Sequence, residues 1–402
     1  MDLNFAEEYE EYRHKLQEFL KGWPLQGEEA DLPLADQQQL FRQRGIEAGY
    51  VYFDIPKEYG GAGQEPDVFK SAIIADEYAS SGAPGNGVDQ GPGLLAPTLI
   101  EFGTEEQKRQ FVLPTLRGEI RWCQGYSEPG AGSDLASLQC SALLDGDEWV
   151  INGQKIWTSN AMESQYLFGL FRTEPDVPRH GGISYLLVEL DQPGIEVRPL
   201  KQMSGGMDFN EVFFTDARTP AHYIVGKRGE GWAVSRATLK HERNLIGNPN
   251  MMREHFDAAV ALSRRTVRDG RPAIEDSIIR QRLAEIEGYV RTAEMSNLRQ
   301  MTAASRGEEH KVMLPMMMNK LYSTDTMQMI TGLAYELLGA DGMLAPTEED
   351  VASYARTHTS SGFVEQYIFS HGPAIAGGAT NIQLNIIGER GLGLPRDLRS
   401  SK

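Results

Sequence analysis

The sequence predicts an α+β protein with an α-helical N-terminal domain, a middle β-domain and a C-terminal α-helical bundle. Two observations carry this: apolar residues recur at helical spacing near both ends, while residues 122–231 break into short alternating runs punctuated by Gly, Asn and Asp. The expected boundaries are 1–121, 122–231 and 232–402.

Near the N-terminus, helical periodicity covers Phe5 to Leu20, Gln37 to Ala48 and Val68 to Tyr78. Ile55 to Pro66, rich in Gly and Pro, reads as a long loop. The run LQCSALLDGDEWVINGQKIWTS holds Asp-Gly and Asn-Gly pairs between alternating segments, which predicts hairpin turns at both pairs. Strands are expected at Gln165–Phe171, Ile183–Glu189, Ile195–Pro199 and Asn210–Phe214. Helices follow at Trp232–Leu245, His255–Asp269, Ile278–Ser305, Met313–Leu338 and Asp350–Phe369, the fourth opening on Met313, Met316, Met317 and Met318 as a buried thioether face. Pro249, seven residues after Glu242, falls where a long helix is expected, so that helix bends or starts late.

Composition narrows the function classes. The chain of 402 residues is 40% hydrophobic and 24% charged with net charge −18, an acidic globular protein that repels a phosphate backbone, so no nucleic acid is expected. No window reaches the roughly 18 apolar residues of a membrane span, and the acidic N-terminal segment lacks a signal peptide's pattern, so no membrane span and a cytoplasmic location are expected. Cys123 and Cys140 read as structural thiols. No residue pattern calls for a metal.

The densest chemical signal is GYSEPGAGS at Gly125–Ser133 with GQKIWTSNA at Gly153–Ala161. Gly130 and Gly132 let a backbone approach a ligand closely, Ser127 and Ser133 add hydroxyl donors, and Trp157 offers a flat surface beside Thr158 and Ser159. A Gly-rich hairpin with a core Trp explains the same residues equally well. With IPKEYGGAG (Ile55–Gly63), Leu239–Gly247, LLGADG (Leu337–Gly342) and IQLNIIGERGLGLPR (Ile382–Arg396), these motifs resemble the acyl-CoA dehydrogenases, in order and across essentially the whole chain.

The resemblance implies FAD held between the middle and C-terminal domains, oxidation of an acyl-CoA to its trans-2,3-enoyl-CoA, and electron transfer to an electron-transfer flavoprotein. It places Tyr126, Ser127, Trp157, Thr158 and Ser159 at the flavin, Gly132 and Ser133 toward its pyrophosphate, and Ser133 also at the substrate. A neighbouring subunit of a tetramer, of identical or related chains, is expected to contribute Arg265 or Arg268, with Arg264 as a further alternative, and residues of YELLGADG such as Glu336 and Gly339. Glu336 stands where the family usually has Gln, and a carboxylate beside a pyrophosphate needs a cation to pair with.

The reaction needs a carboxylate base for the α-proton. Where many members carry it, this chain has Gly377, in AIAGGATNIQ. Other members place the base on the first long helix of the C-terminal domain, which here reads LKHERNLIG and offers Glu242, one face with Leu239 and Ile246 at i, i+3 and i+7. Arg243 matches a family arginine at the substrate mouth, and one of the N–H groups of Gly377 and Gly378 would, together with the FAD ribityl hydroxyl, polarise the thioester carbonyl. Two other readings remain: a site-completing subunit of a heteromeric dehydrogenase, and a flavin monooxygenase or oxidase on the same fold.

Overall fold

The computed structural model describes residues 6–81, 83, 90–177, 179–245, 249–352 and 357–395, with the backbone alone at 79, 241–245 and 352. The chain divides into two compact units, one spanning residues 5–201 and 207–242, the other 202–206 and 243–402.

In the first unit, helices α1 (Glu7–Leu20), α2 (Leu34–Ala48) and α3 (Val68–Ser81) pack Leu16, Phe41 and Ile73 into one core with Trp23 and Val51. Three shorter helices follow, α4 (Ala96–Phe102), α5 (Glu105–Gln107) and α6 (Leu113–Arg117). Thr104 and Gln107 form a reciprocal capping box at α5. The Gln107 amide also donates to the carbonyls of His222 and Ile224, 2.7 Å each, which pins this helical stretch to the sheet.

The sheet comprises β1 (Trp122–Gly125), β2 (Ser141–Asp145), β3 (Glu148–Ser159), β4 (Tyr166–Arg172), β5 (Ile183–Glu189), β6 (Ile195–Pro199), β7 (Phe209–Pro220) and β8 (Ile224–Val225). Its order is β6-β7-β3-β2-β4-β5-β8, with β1 pairing parallel to β4. One face buries Trp122, Phe168 and Tyr185 against Leu95, Leu99, Phe111 and Val234; the other buries Cys123, Cys140, Trp149, Ile151 and Phe214. Burial pushes the Cys123 thiol up to about 12 and the Cys140 thiol to about 11, which leaves both inert.

The Asp-Gly pair makes the expected β2–β3 turn, with Gly146 at φ 65°. The Asn-Gly pair does not turn. Asn152 and Gly153 lie inside β3 at a register shift against β7. Gly153 adopts φ 136°, and a Cβ there would come within 2.9 Å of the Cys140 sulfur, so the glycine serves a bulge under close packing.

Helix α7 (Gly231–Leu245) carries the chain past the end of the first unit at residue 242, and the second unit is a helical bundle. Its helices are α8 (Pro249–Arg265), α9 (Ser277–Ser305), α10 (Met313–Leu338), α11 (Glu348–Ala352), α12 (Ser360–Ser370) and α13 (Thr380–Ile386). Phe256, Leu262, Leu283, Ile286, Ile330, Leu333 and Phe363 form its core.

Four helix expectations change here. Pro249 does not bend a helix but opens α8 at its first position, where its missing N–H costs nothing. Residues expected to continue that helix to Asp269 instead form a hairpin of Val267–Arg268 with Arg271–Pro272. Asp269 at φ 51° and Gly270 at φ 79° make its two-residue turn, the backbone signature that Asp-Gly satisfies best. The single helix expected over Asp350–Phe369 splits into α11 and α12. Asp350, buried on α11, accepts from Thr347, Thr357 and Thr359. Burial opposes its charge, but hydroxyls of Thr357 and Ser361 and the Thr347 N–H hold the carboxyl well below its usual range.

The fourth concerns the thioether face. Met313, Met316 and Met318 are each nearly half exposed. The opening stretch of α10, Met313–Met318, is apolar on every side, so periodicity selects no inner face, and the helix's buried positions begin at Lys320.

Candidate cofactor and active site

The loop after β1 is built around an ion pair that the sequence reading missed. Lys155 is fully buried in β3, and its ammonium lies 2.7 Å from Glu128 Oε1. Glu128 also accepts from the Gln139 N–H at 2.6 Å and the Cys140 N–H at 2.9 Å, while Lys155 donates to the Tyr126 carbonyl at 3.2 Å. Each buried charge is thereby met by its opposite and by further polar groups, the condition under which such a pair is tolerable. Period-two spacing from Trp149 and Ile151 to Lys155 marks the buried face, a signal available in the sequence.

That pair fixes the direction of the Tyr126–Ser133 segment. The Ser127 carbonyl accepts from Ile156 N–H at 2.9 Å, and Glu128 and Ala131 exchange backbone bonds across the turn. The Tyr126 ring is buried edge-on to Phe168 and Tyr185. Gly132 and Ser133 are exposed, and a Cβ on Gly130 or Gly132 would meet nothing within 4 Å. The backbone there is open to a ligand.

Across from this loop, β3 bulges against β7 between Lys155 and Thr158. Trp157 at the bulge takes φ 61°, a region costly for a residue with a Cβ, and is 60% exposed, with the Phe209 ring edge-on to it at 6.1 Å. Next to it, the Thr158 hydroxyl is fully buried with no hydrogen-bond partner among the described residues. Ser159 is half-buried. A strained, outward-turned indole beside an unmatched buried hydroxyl marks a place prepared for a flat polar ligand.

The second unit holds the remaining candidates. Gly377 (φ 60°) and Gly378 (φ 91°) are successive left-handed residues. The Gly377 carbonyl accepts from Gln383 at 3.1 Å and the Gly378 carbonyl from Lys320 at 2.7 Å. Glu336, near the end of α10, is paired through both oxygens with Arg282, a residue absent from the sequence candidates. That hydrogen-bonded guanidinium holds the Glu336 carboxyl below its usual range, with Arg268 adding attraction. The cation that the acidic substitution required is therefore present. Gly339 follows α10 at φ 56°. Arg265 is engaged elsewhere, donating to the His358 carbonyl at 3.1 Å and lying over the Phe363 ring. Glu242 and Arg243 fall on α7, and their side chains lie outside the described residues.

Among the described residues no helix is long and apolar enough to cross a membrane. Family models described as the acyl-CoA dehydrogenase N-terminal, middle and C-terminal domains match residues 6–119, 123–217 and 229–392. The acyl-CoA dehydrogenase IpdE1 of Mycobacterium tuberculosis is 41% identical over 370 residues, covering 90% of each chain. IpdE1 of Mycolicibacterium smegmatis is 38% identical over 377 residues, again 90% of each. Among solved structures, one described as the Tcur3481-Tcur3483 steroid ACAD superposes with TM-score 0.79 at 28% identity over 99% of this chain and 100% of that one. The ChsE4-ChsE5 complex from Mycobacterium tuberculosis matches with the same TM-score, identity and coverage. With every segment of the chain matched in order, it belongs to the acyl-CoA dehydrogenase family of oxidoreductases.

Proposed function

We propose that this chain catalyses FAD-dependent α,β-dehydrogenation of an acyl-CoA thioester to the trans-2,3-enoyl-CoA in the cytoplasm, with a bulky, ring-bearing acyl group as substrate. The observation that carries the cofactor is the β3 bulge, where exposed Trp157 adjoins the unmatched Thr158 hydroxyl, next to Ile156, whose N–H binds the loop that opens its backbone at Gly130–Gly132. The residues present fit FAD: a flat indole for the ring system, hydroxyls at Ser127, Thr158 and Ser159 for its polar edge, and exposed backbone with Ser133 toward its phosphates. Relatives described as a steroid ACAD and as a ChsE4-ChsE5 complex support both the bulky substrate and a two-chain assembly.

In this reading Glu242 accepts the α-proton, and an N–H of the Gly377–Gly378 pair binds the thioester oxygen as negative charge develops on it. Bound FAD supplies the acceptor for the β-hydrogen and its electron pair, from which electrons leave to an electron-transfer flavoprotein. Arg243 meets the substrate at its mouth. Arg268 and the Glu336–Arg282 pair, with Gly339, serve the adenosine end of a neighbouring subunit's cofactor, where the paired carboxylate suits ribose hydroxyls. Arg265, held by His358 and Phe363, is the less suited of the candidate arginines.

The test is an anaerobic titration of the purified yellow protein with straight, branched and steroid-derived acyl-CoA thioesters. Bleaching of the flavin band with ring-bearing thioesters at the lowest concentration is the expected result. A yellow protein that no thioester bleaches overturns catalysis by this chain alone; bleaching restored by a related second chain would establish the site-completing role instead.

Trp157→Ala provides a separate check on the cofactor site. Because the indole is largely exposed, folding stability should change by no more than about 0.5 kcal/mol. Flavin retained through gel filtration should fall several-fold, read from the visible-to-ultraviolet absorbance ratio. Unchanged retention would remove Trp157 from the site.

A further inference from the structure

We propose that Lys320 is a positioning residue for the thioester carbonyl, its ammonium holding the Gly377–Gly378 backbone so that the adjoining N–H groups point at the oxygen. The inference rests on the reading of that backbone as the thioester's hydrogen-bond donor.

Lys320 sits on α10 and is only 5% exposed. A buried ammonium is costly, and an apolar side chain would fill the position more cheaply. Its hydrogen-bond acceptor is the Gly378 carbonyl, at 2.7 Å, not a carboxylate. Asp325, on the same helix, attracts it only at longer range; desolvation pushes the Lys320 ammonium below its usual range. A charge is thus spent on the direction of one peptide group.

The geometry of that peptide gives the consequence. In a trans peptide the carbonyl and the following N–H point opposite ways. Gln383, on α13, holds the Gly377 carbonyl and so turns the Gly378 N–H, one of the proposed donors, away from its own side chain, while Lys320 on the Gly378 carbonyl fixes the next peptide with its Ala379 N–H, so that Gly378 is held from both sides. Neither N–H has an acceptor among the described residues. Both glycines are left-handed, where a Cβ strains the backbone, and a Cβ on Gly378 would come within 2.5 Å of the Gln383 amide nitrogen, so a side chain there would displace the amide that holds the Gly377 carbonyl. Lys320 contributes without touching the substrate.

The experiment compares wild type, Lys320→Met and Lys320→Arg as holoproteins, with flavin content and melting temperature measured on each. Rapid mixing with a thioester that reduces the wild type should show Lys320→Met losing about 10²-fold in limiting bleaching rate, with apparent Kd changed less than about threefold. Lys320→Arg should recover most of the rate. Amide exchange over residues 374–384, measured without substrate, should accelerate in Lys320→Met and not in Lys320→Arg. A methionine variant with wild-type rate and exchange overturns the proposal, as does a rate loss matched by equal losses of flavin and thermal stability. Should no thioester reduce the wild type, the proposed function fails by itself; the exchange measurement then still decides whether Lys320 holds the turn, and unchanged exchange overturns it.

Discussion

Glu242→Gln is expected to slow substrate-driven flavin bleaching by about 10²–10⁴-fold, the range a positioned general base contributes. The substitution keeps size and hydrogen-bonding capacity while removing the ability to accept a proton. FAD content, melting temperature and apparent Kd should therefore stay near wild type, separating loss of chemistry from loss of fold. The size of the effect follows from what else is available. Gly377, which stands where many relatives carry the base, has no side chain to offer, and its carbonyl is already engaged by Gln383. Wild-type bleaching by Glu242→Gln would remove this carboxylate from the mechanism and direct attention to Glu365, a buried carboxyl on α12.

The second large effect is on stability. Lys155→Met should destabilise the first unit by about 3–5 kcal/mol, because it strands the Glu128 carboxylate in a buried site without its cation. Two backbone N–H groups still reach that carboxylate, from Gln139 and Cys140, but they do not neutralise it. Adding Glu128→Gln removes the stranded charge while keeping an acceptor for those amides, so the double variant should recover much of the loss. Thermal melts of the single and double variants make the comparison. Equal melting temperatures for both would show that charge stranding is not what the single variant suffers. Lys155→Met should also bind FAD less tightly, since the same ammonium fixes the Tyr126 carbonyl beside Ser127.

How much of this was legible follows the physics of each signal. The order of helices, sheet and helices could be read because periodicity reports which faces are buried, and most long elements have a polar side. The thioether stretch of α10 has none, and there the expected inner face proved to be largely open. The hairpin at Asp269–Gly270 carried a turn signal that the neighbouring helical pattern overrode, and Pro249 was read as a breaker where it is an initiator. Within the site, Trp157 and its hydroxyl neighbours were legible as a motif, but the left-handed bulge that turns the indole outward depends on β3 slipping against β7. The supporting cations were harder. Lys155, Arg282 and Lys320 acquire their meaning from partners 27, 54 and 58 residues away, and spacing along one element does not report such pairs.

The open methionine stretch at the start of α10 has a chemical consequence. Thioethers oxidise readily to sulfoxides, and the change turns a soft apolar side chain into a stiff polar one. Met313, Met316 and Met318, each nearly half accessible in the isolated chain, therefore constitute an internal oxidation record: peroxide marks them when that surface is bare and spares them when something lies across it.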